Sequence, residues 1–185
     1  MKKIIIIFIF IFACQPIEKI DHVVIDNNQF SKFDILASSI EIVEIFEKKI
    51  SDPYIGQTLE VTPSQRIIDW VNDNFKVLGN ENKFIVTILD ASLKRTKFEN
   101  NEAKNFDEKN NYKYELFYLI EFNLYDDSKN LVASTLVETS RTTTSGLYIS
   151  IQEKENILKD LIYQSLIDLS NESDLLLKKY MSDFI

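Results

Sequence analysis

The chain has 185 residues, an acidic balance of 29 Asp and Glu against 21 Lys and Arg, and only one histidine and one cysteine. The formal charge of −8 argues against binding nucleic acid or anionic lipid over the whole surface, although a local basic patch is compatible with it. A lone cysteine excludes an intramolecular disulfide, and a lone histidine excludes a histidine-rich zinc site.

Met1-Lys2-Lys3 supplies a charged start, Ile4 to Phe12 an apolar run too short to span a bilayer, and Ala13 a small residue before Cys14. These are the features of a secretory signal peptide over residues 1–13, with a mature chain of 172 residues and formal charge −10 beginning at Cys14. Ile11-Phe12-Ala13-Cys14 resembles the lipobox of bacterial lipoproteins, with Phe12 departing from the small or aliphatic residue usual there. That resemblance implies a diacylglycerol on the Cys14 thiol and a further acyl chain, such as palmitate, on its amine. Several chains on one residue make the membrane anchor nearly permanent. Gln15-Pro16, where an aspartate would mark inner-membrane retention, implies anchoring at the outer membrane, facing the periplasm. The alternatives are an uncleaved apolar N-terminus or a free cysteine in an ordinary secreted protein.

Residues 14–32 read as a tether and 33–185 as a single domain of a size that supports a full core. In Phe33 to Ile50, Ile40, Ile42, Glu44 and Phe46 alternate against Ser39, Glu41, Val43 and Ile45, which suits a first strand ended by Pro53 and Gly56. Thr62-Pro63-Ser64-Gln65 has an N-cap threonine, a proline in the first turn and a glutamine placed for the return bond, so a helix runs from Pro63 to about Leu78. Ile67, Ile68, Val71, Phe75 and Leu78 form its stripe, and Gly79-Asn80 its C-terminal cap. Phe84 to Leu89 begins a second strand inside the protein, which emerges at Lys94-Arg95-Thr96-Lys97.

Glu99 to Asn111 is polar and reads as a flexible loop. Tyr112 to Tyr125 alternates cleanly, with Tyr114, Leu116, Tyr118, Ile120, Phe122 and Leu124 on one face. Asp126 to Asn130 makes a hairpin loop, and Leu131 to about Thr143 returns antiparallel. Ser150-Ile151-Gln152-Glu153 is a second capping box, opening a helix that Ser170-Asn171-Glu172-Ser173 breaks or kinks before Leu175 to Phe184. The order strand, helix, three strands, helix implies an α+β fold: a mainly antiparallel sheet of about four strands with two helices on one face.

A cysteine in a lipobox, followed by this element order and a C-terminal helix opened by Ser150-x-x-Glu153, resembles the lipopolysaccharide-assembly lipoproteins that sit within the outer-membrane translocon barrel. Auxiliary lipoproteins of lipid-transport systems share the layout. Uncharacterised alphaproteobacterial lipoproteins share a Pro-initiated helix with a tryptophan, here Thr62-Pro63 and Trp70, before a strand like Val86 to Ser92. The resemblance covers Phe33 to Leu169 as order and pattern, without a catalytic signature. It implies a nonenzymatic accessory protein that assists envelope assembly or lipid transport by binding an outer-membrane barrel, a lipid-transport subunit or a lipid head group. No cofactor is implied.

The residue inventory gives enzyme chemistry little to work with. His22 falls in the tether and Cys14 is consumed by lipid, so no Cys/His pair or Ser/His/Asp triad assembles on the domain. No Gly-rich phosphate loop or calcium loop is spelled. Carboxylates such as Asp90 leave open a hydrolase of envelope polymers, and a purely structural surface lipoprotein is the third reading. Four features suit binding. Lys94, Arg95 and Lys97, joined by Arg141 on the last strand, match phosphate oxygens, or else form a solvated strand end. Phe117 and Leu119 lie on the more polar face of the third strand, open to a partner or covered by a helix. Trp70 lies off its helix stripe, as an interface anchor or half-buried on its own sheet. The loop 99–111 docks a partner or is an ordinary loop.

Overall fold

The computed structural model describes residues 27–99 and 110–185, so Cys14, His22, most of the expected tether and loop residues 100–109 lie outside the described residues. Six strands and two long helices follow in the order β1 (Phe33–Ile35), β2 (Ser39–Glu44), α1 (Pro63–Asn74), β3 (Phe75–Val77), β4 (Lys83–Glu99), β5 (Asn110–Tyr125), β6 (Leu131–Gly146) and α2 (Ile151–Tyr180). The main sheet runs β2-β4-β5-β6 and a small second sheet pairs β1 with β3. β4-β5 and β5-β6 are antiparallel, whereas β2 joins β4 in parallel. A parallel pair needs a crossover, and α1 lies within it. The fold is α+β.

One face of the sheet is buried. Phe84, Val86 and Ile88 of β4, Tyr114 to Leu124 at alternate positions of β5, and Val137 of β6 belong to one core with Ile67, Trp70 and Val71 of α1 and Leu158, Leu161, Ile162, Leu166 and Leu169 of α2. Both helices therefore cover the same face. The capping threonine and serine act as their spelling implies: Gln65 N–H donates to Thr62 Oγ1 at 3.2 Å and Glu153 N–H to Ser150 Oγ at 3.1 Å; the return bond expected of Gln65 is not made, because its side-chain amide donates forward to Asp69 Oδ1 at 2.9 Å. In the hairpin turn Asn130 donates from its backbone N–H and its side-chain amide to the Asp126 carboxylate, at 2.8 and 2.9 Å, with Lys129 in the left-handed region.

Four local expectations need correction. The first strand is two pieces, β1 and β2, in different sheets. Helix α1 stops at Asn74, not near Leu78: the Asn74 amide donates to Trp70 O at 2.7 Å, and Lys32 Nζ donates to Asp73 O at 3.2 Å, satisfying carbonyls at the helix end. Phe75 then enters β3, because its ring stacks on Phe33 at 4.4 Å and on Phe122 at 5.7 Å, a tertiary contact that outweighs helical period. Gly79 is consequently not a positive-φ cap; it is needed for close approach, since a Cβ there would lie 2.7 Å from both Ala37 N and Leu36 C. Finally, α2 runs unbroken through Ser170 to Ser173, where both serines are buried and Ser170 Oγ accepts the Ser31 N–H at 2.9 Å. The packed domain reaches back to Phe30, whose ring meets Tyr163 edge-on at 6.0 Å.

Gly79→Ala is expected to destabilise the domain by about 1–3 kcal/mol, because the contact is with backbone that cannot swing aside. A denaturant midpoint indistinguishable from the parent would refute this account of the glycine.

Candidate functional site

A β-bulge in β4 shapes the most distinctive site. Up to Ile88 the even-numbered residues of β4 face the helices; between Ile88 and Asp90 the register with β5 shifts by one residue, and thereafter Ala91 and Leu93 are the buried ones. The extra residue sends Asp90, Ser92 and Lys94 to the face without helices, opposite Leu119, Phe117 and Glu115 of β5. β2 stops pairing just there, with Ile45 N–H donating to Ile88 O at 3.2 Å. The chain then leaves β4 and rejoins it at Tyr54, which bridges Lys94, with Ile55 N–H donating to Leu93 O and Arg95 N–H to Pro53 O.

Between these two attachments lies a notch of about 460 Å³, walled by Glu47, Lys49 and Tyr54 of the loop and by Asp90, Lys94 and Phe117 of the sheet. Lys49 Nζ and Lys94 Nζ sit 4.8 and 5.4 Å from the Tyr54 ring centroid, and Lys49 also donates to the Tyr54 hydroxyl at 3.4 Å. Asp90 Oδ1 is shut off from solvent and accepts no hydrogen bond among the described residues. A carboxylate oxygen in that position is stabilised by any donor or cation brought to the group.

The structure divides the basic residues expected to act together. Lys94 faces the notch, whereas Arg95 turns to the helix side of the sheet, 4.9 Å from the Tyr112 ring centroid and 4.0 Å from an Asp52 carboxylate oxygen. Lys97 is exposed near the outer end of β4, opposite Tyr112. Arg141 does not join them: two strands away, it grips Asp168 of α2 with Nε to Oδ2 at 2.7 Å and Nη2 to Oδ1 at 3.2 Å, which raises its pKa further. This bidentate pair ties β6 to α2 and leaves the guanidinium little freedom for a ligand. Phe117 and Leu119 are half-buried on the face without helices. Trp70 is 3% exposed and packs edge-on against Phe33 and Phe75, so it is a core residue and no interface anchor. Glu47, Lys49 and Tyr54 carry no signal of their own in the sequence beyond following a proline-bounded strand end.

On the opposite face, two cavities of about 450 and 460 Å³ lie between α1 and α2, and Arg66 lines both. Beneath the helices the Tyr118 hydroxyl is fully buried, without a partner among the described residues; burial holds its pKa far above the tyrosine range, and the field of Arg66 offsets only part of that. No group of three His, Cys, Asp or Glu side chains among the described residues is arranged to hold a metal, and no described helix is long and apolar enough to cross a membrane.

No family model matches the chain, and no curated protein matches it. Among solved structures, the chain is similar to a minor lipoprotein from Acinetobacter baumannii at 10% identity and TM-score 0.37, covering 74% of this chain and 87% of that one. Rare lipoprotein B from Shewanella oneidensis is similar at 16% identity and TM-score 0.35, covering 73% and 93%. A neuraminyllactose-binding hemagglutinin homolog from Helicobacter pylori is similar at 13% identity and TM-score 0.38, covering 88% and 96%. At these scores the likenesses carry no functional argument, and the reading below rests on the residues of the chain itself.

Tyr118→Phe removes an unpartnered hydroxyl and should change stability at neutral pH by less than about 1 kcal/mol. In the parent, the unfolded chain releases this proton near the ordinary value of 10.0 while the folded chain retains it, so stability should fall as pH rises above that value. Denaturant midpoints measured across the alkaline range should fall less steeply in Tyr118→Phe than in the parent; equal slopes would refute the assignment. Arg141→Gln should cost at most about 1 kcal/mol, because both partners are more than a third exposed to solvent.

Proposed function

We propose that this chain is a bacterial envelope lipoprotein, held by acyl chains on Cys14 at the periplasmic face of the outer membrane, and that its folded domain is a nonenzymatic accessory module for envelope assembly or lipid transport. The domain binds a membrane-protein partner or a lipid head group through the sheet face that carries no helix. The anchor half of this reading rests on the charged start, short apolar run and Ile11-Phe12-Ala13-Cys14. The single observation that supports the binding half is the one-sidedness of the sheet. Both helices pack on one face, and the other presents half-buried Phe117 and Leu119 and exposed Leu136 beside the charged notch. Apolar side chains ringed by polar ones on an uncovered face are what a docking surface offers.

Crosslinking of the native lipoprotein in intact cells, followed by affinity purification and mass spectrometry, tests it. An outer-membrane barrel or lipid-transport subunit should be enriched, and the enrichment should disappear with Cys14→Ser. Phe117→Glu, at a position that no helix covers, should lose the crosslink while leaving the thermal unfolding transition in place. No reproducible partner, together with no lipid binding by the wild-type protein, would overturn the proposal.

A further inference from the structure

The notch beside β4 has a charge pattern that specifies its occupant. Asp90 and Glu47 contribute two negative charges and Lys49 and Lys94 two positive ones, and among the described residues none of the four forms an ion pair. Glu115, the cross-strand neighbour of Lys94, is itself engaged by Lys113 at 3.3 Å. Opposite charges gathered in one cavity ordinarily neutralise one another. Here they are kept apart, with the two ammonium groups held against Tyr54 and Asp90 set back in the bulge.

We propose that the notch is a binding site for a small zwitterion carrying a primary ammonium and a phosphodiester two carbons apart, the chemistry of a phosphoethanolamine head group. The ammonium donates to Asp90 Oδ2, the oxygen of that carboxylate still open to solvent; Oδ1 is shut off and has no donor among the described residues, so the carboxylate's charge is otherwise unanswered. The phosphate oxygens accept from Lys94 and Lys49 beside Tyr54. A cavity of about 460 Å³ is large enough for a head group, and it opens on the face without helices. A simple anion leaves Asp90 unanswered and is repelled by Glu47, whereas a simple cation meets the two lysines; a ligand with both charges answers Asp90 and the two lysines together. This inference deepens the reading above, since it assigns one of the two partner classes named there to a particular cavity.

The test uses the full mature lipoprotein, purified in a neutral sugar detergent and titrated calorimetrically. Glycerophosphoethanolamine should bind, and glycerophosphocholine, whose quaternary nitrogen has no N–H to donate, should bind at least tenfold more weakly. Inorganic phosphate and ethanolamine alone should bind more weakly still. Asp90→Asn, nearly the same shape, should abolish the preference for the primary ammonium, and Lys94→Gln should weaken binding of both diesters. Equal binding of the two diesters, equal binding of phosphate alone, or an unaltered preference in Asp90→Asn would each overturn the proposal.

Bicelles of phosphatidylcholine with and without phosphatidylethanolamine then identify the source. Amide-exchange protection of residues 89–94 that appears only with phosphatidylethanolamine supports a lipid head group, and protection by the soluble diester alone supports a free ligand. If the notch fails to bind while the cell crosslink persists, this inference falls and the accessory-lipoprotein reading stands; if the notch binds and no envelope protein is captured, the lipid half of that reading stands alone.

Discussion

Phe75 is the residue around which the two sheets and the first helix are assembled. Its ring lies 4.4 Å from Phe33, 5.2 Å from Trp70, 6.1 Å from Phe84 and 5.7 Å from Phe122, so it touches β1, α1, β4 and β5 at once. Each aromatic pair contributes roughly 0.5–1.5 kcal/mol beyond simple burial, and here four share one ring. To reach this position the backbone must leave the helix after Asn74, and the next residues pair with β1. Gly79 then passes against Leu36 and Ala37, which sets β4 on course beside β2.

The consequence at the other end of β4 is a strand with two different neighbours along one edge. β2 accompanies it only to Ile88, and the loop ending at Tyr54 takes over at Leu93 to Arg95. The bulge lies at the changeover and exchanges the two faces of the strand, so a stretch that begins with apolar residues on the core side ends with Lys94 on the open side and Leu93 still buried. The notch is thus a by-product of how two partners share one strand. Loop and strand each bring it one acidic and one basic side chain, Glu47 and Lys49 from the one, Asp90 and Lys94 from the other.

What can be read from the sequence is whatever depends on near neighbours. The alternation from Tyr114 to Leu124, the capping residues Thr62 and Ser150, and the Asp126 to Asn130 turn all appear as spelled, because each rests on local period or on a hydrogen bond a few residues long. The end of α1 was not legible, since Phe75 fits a helical stripe as well as it fits the aromatic cluster. Nor was the bulge, because an inserted residue leaves both halves of β4 alternating properly and only changes their phase. Trp70 and Arg141 illustrate the same limit from the side of function: one is absorbed by Phe33 and Phe75, the other by Asp168, and both partners are distant in sequence. Lys94 and Phe117 do meet in one cavity, but by way of a loop whose residues announce nothing individually.

The junctions at the two ends of the described domain bear on the order in which it is built. Ser31 N–H donates to Ser170, 139 residues away, and Leu36 N–H donates to Phe184 O at 2.8 Å. β5 and β6, by contrast, are neighbours in the chain joined by a tight turn, and such local pairing forms early because little chain entropy is lost in closing the loop. The amino-terminal strands are synthesised first yet find their last partners only when the carboxyl-terminal turn exists. A chain emerging from its amino terminus would cover Phe33 once Trp70 and Phe75 are out, but would leave Phe30 without Tyr163 and Leu36 without Phe184 until nearly the whole domain has emerged.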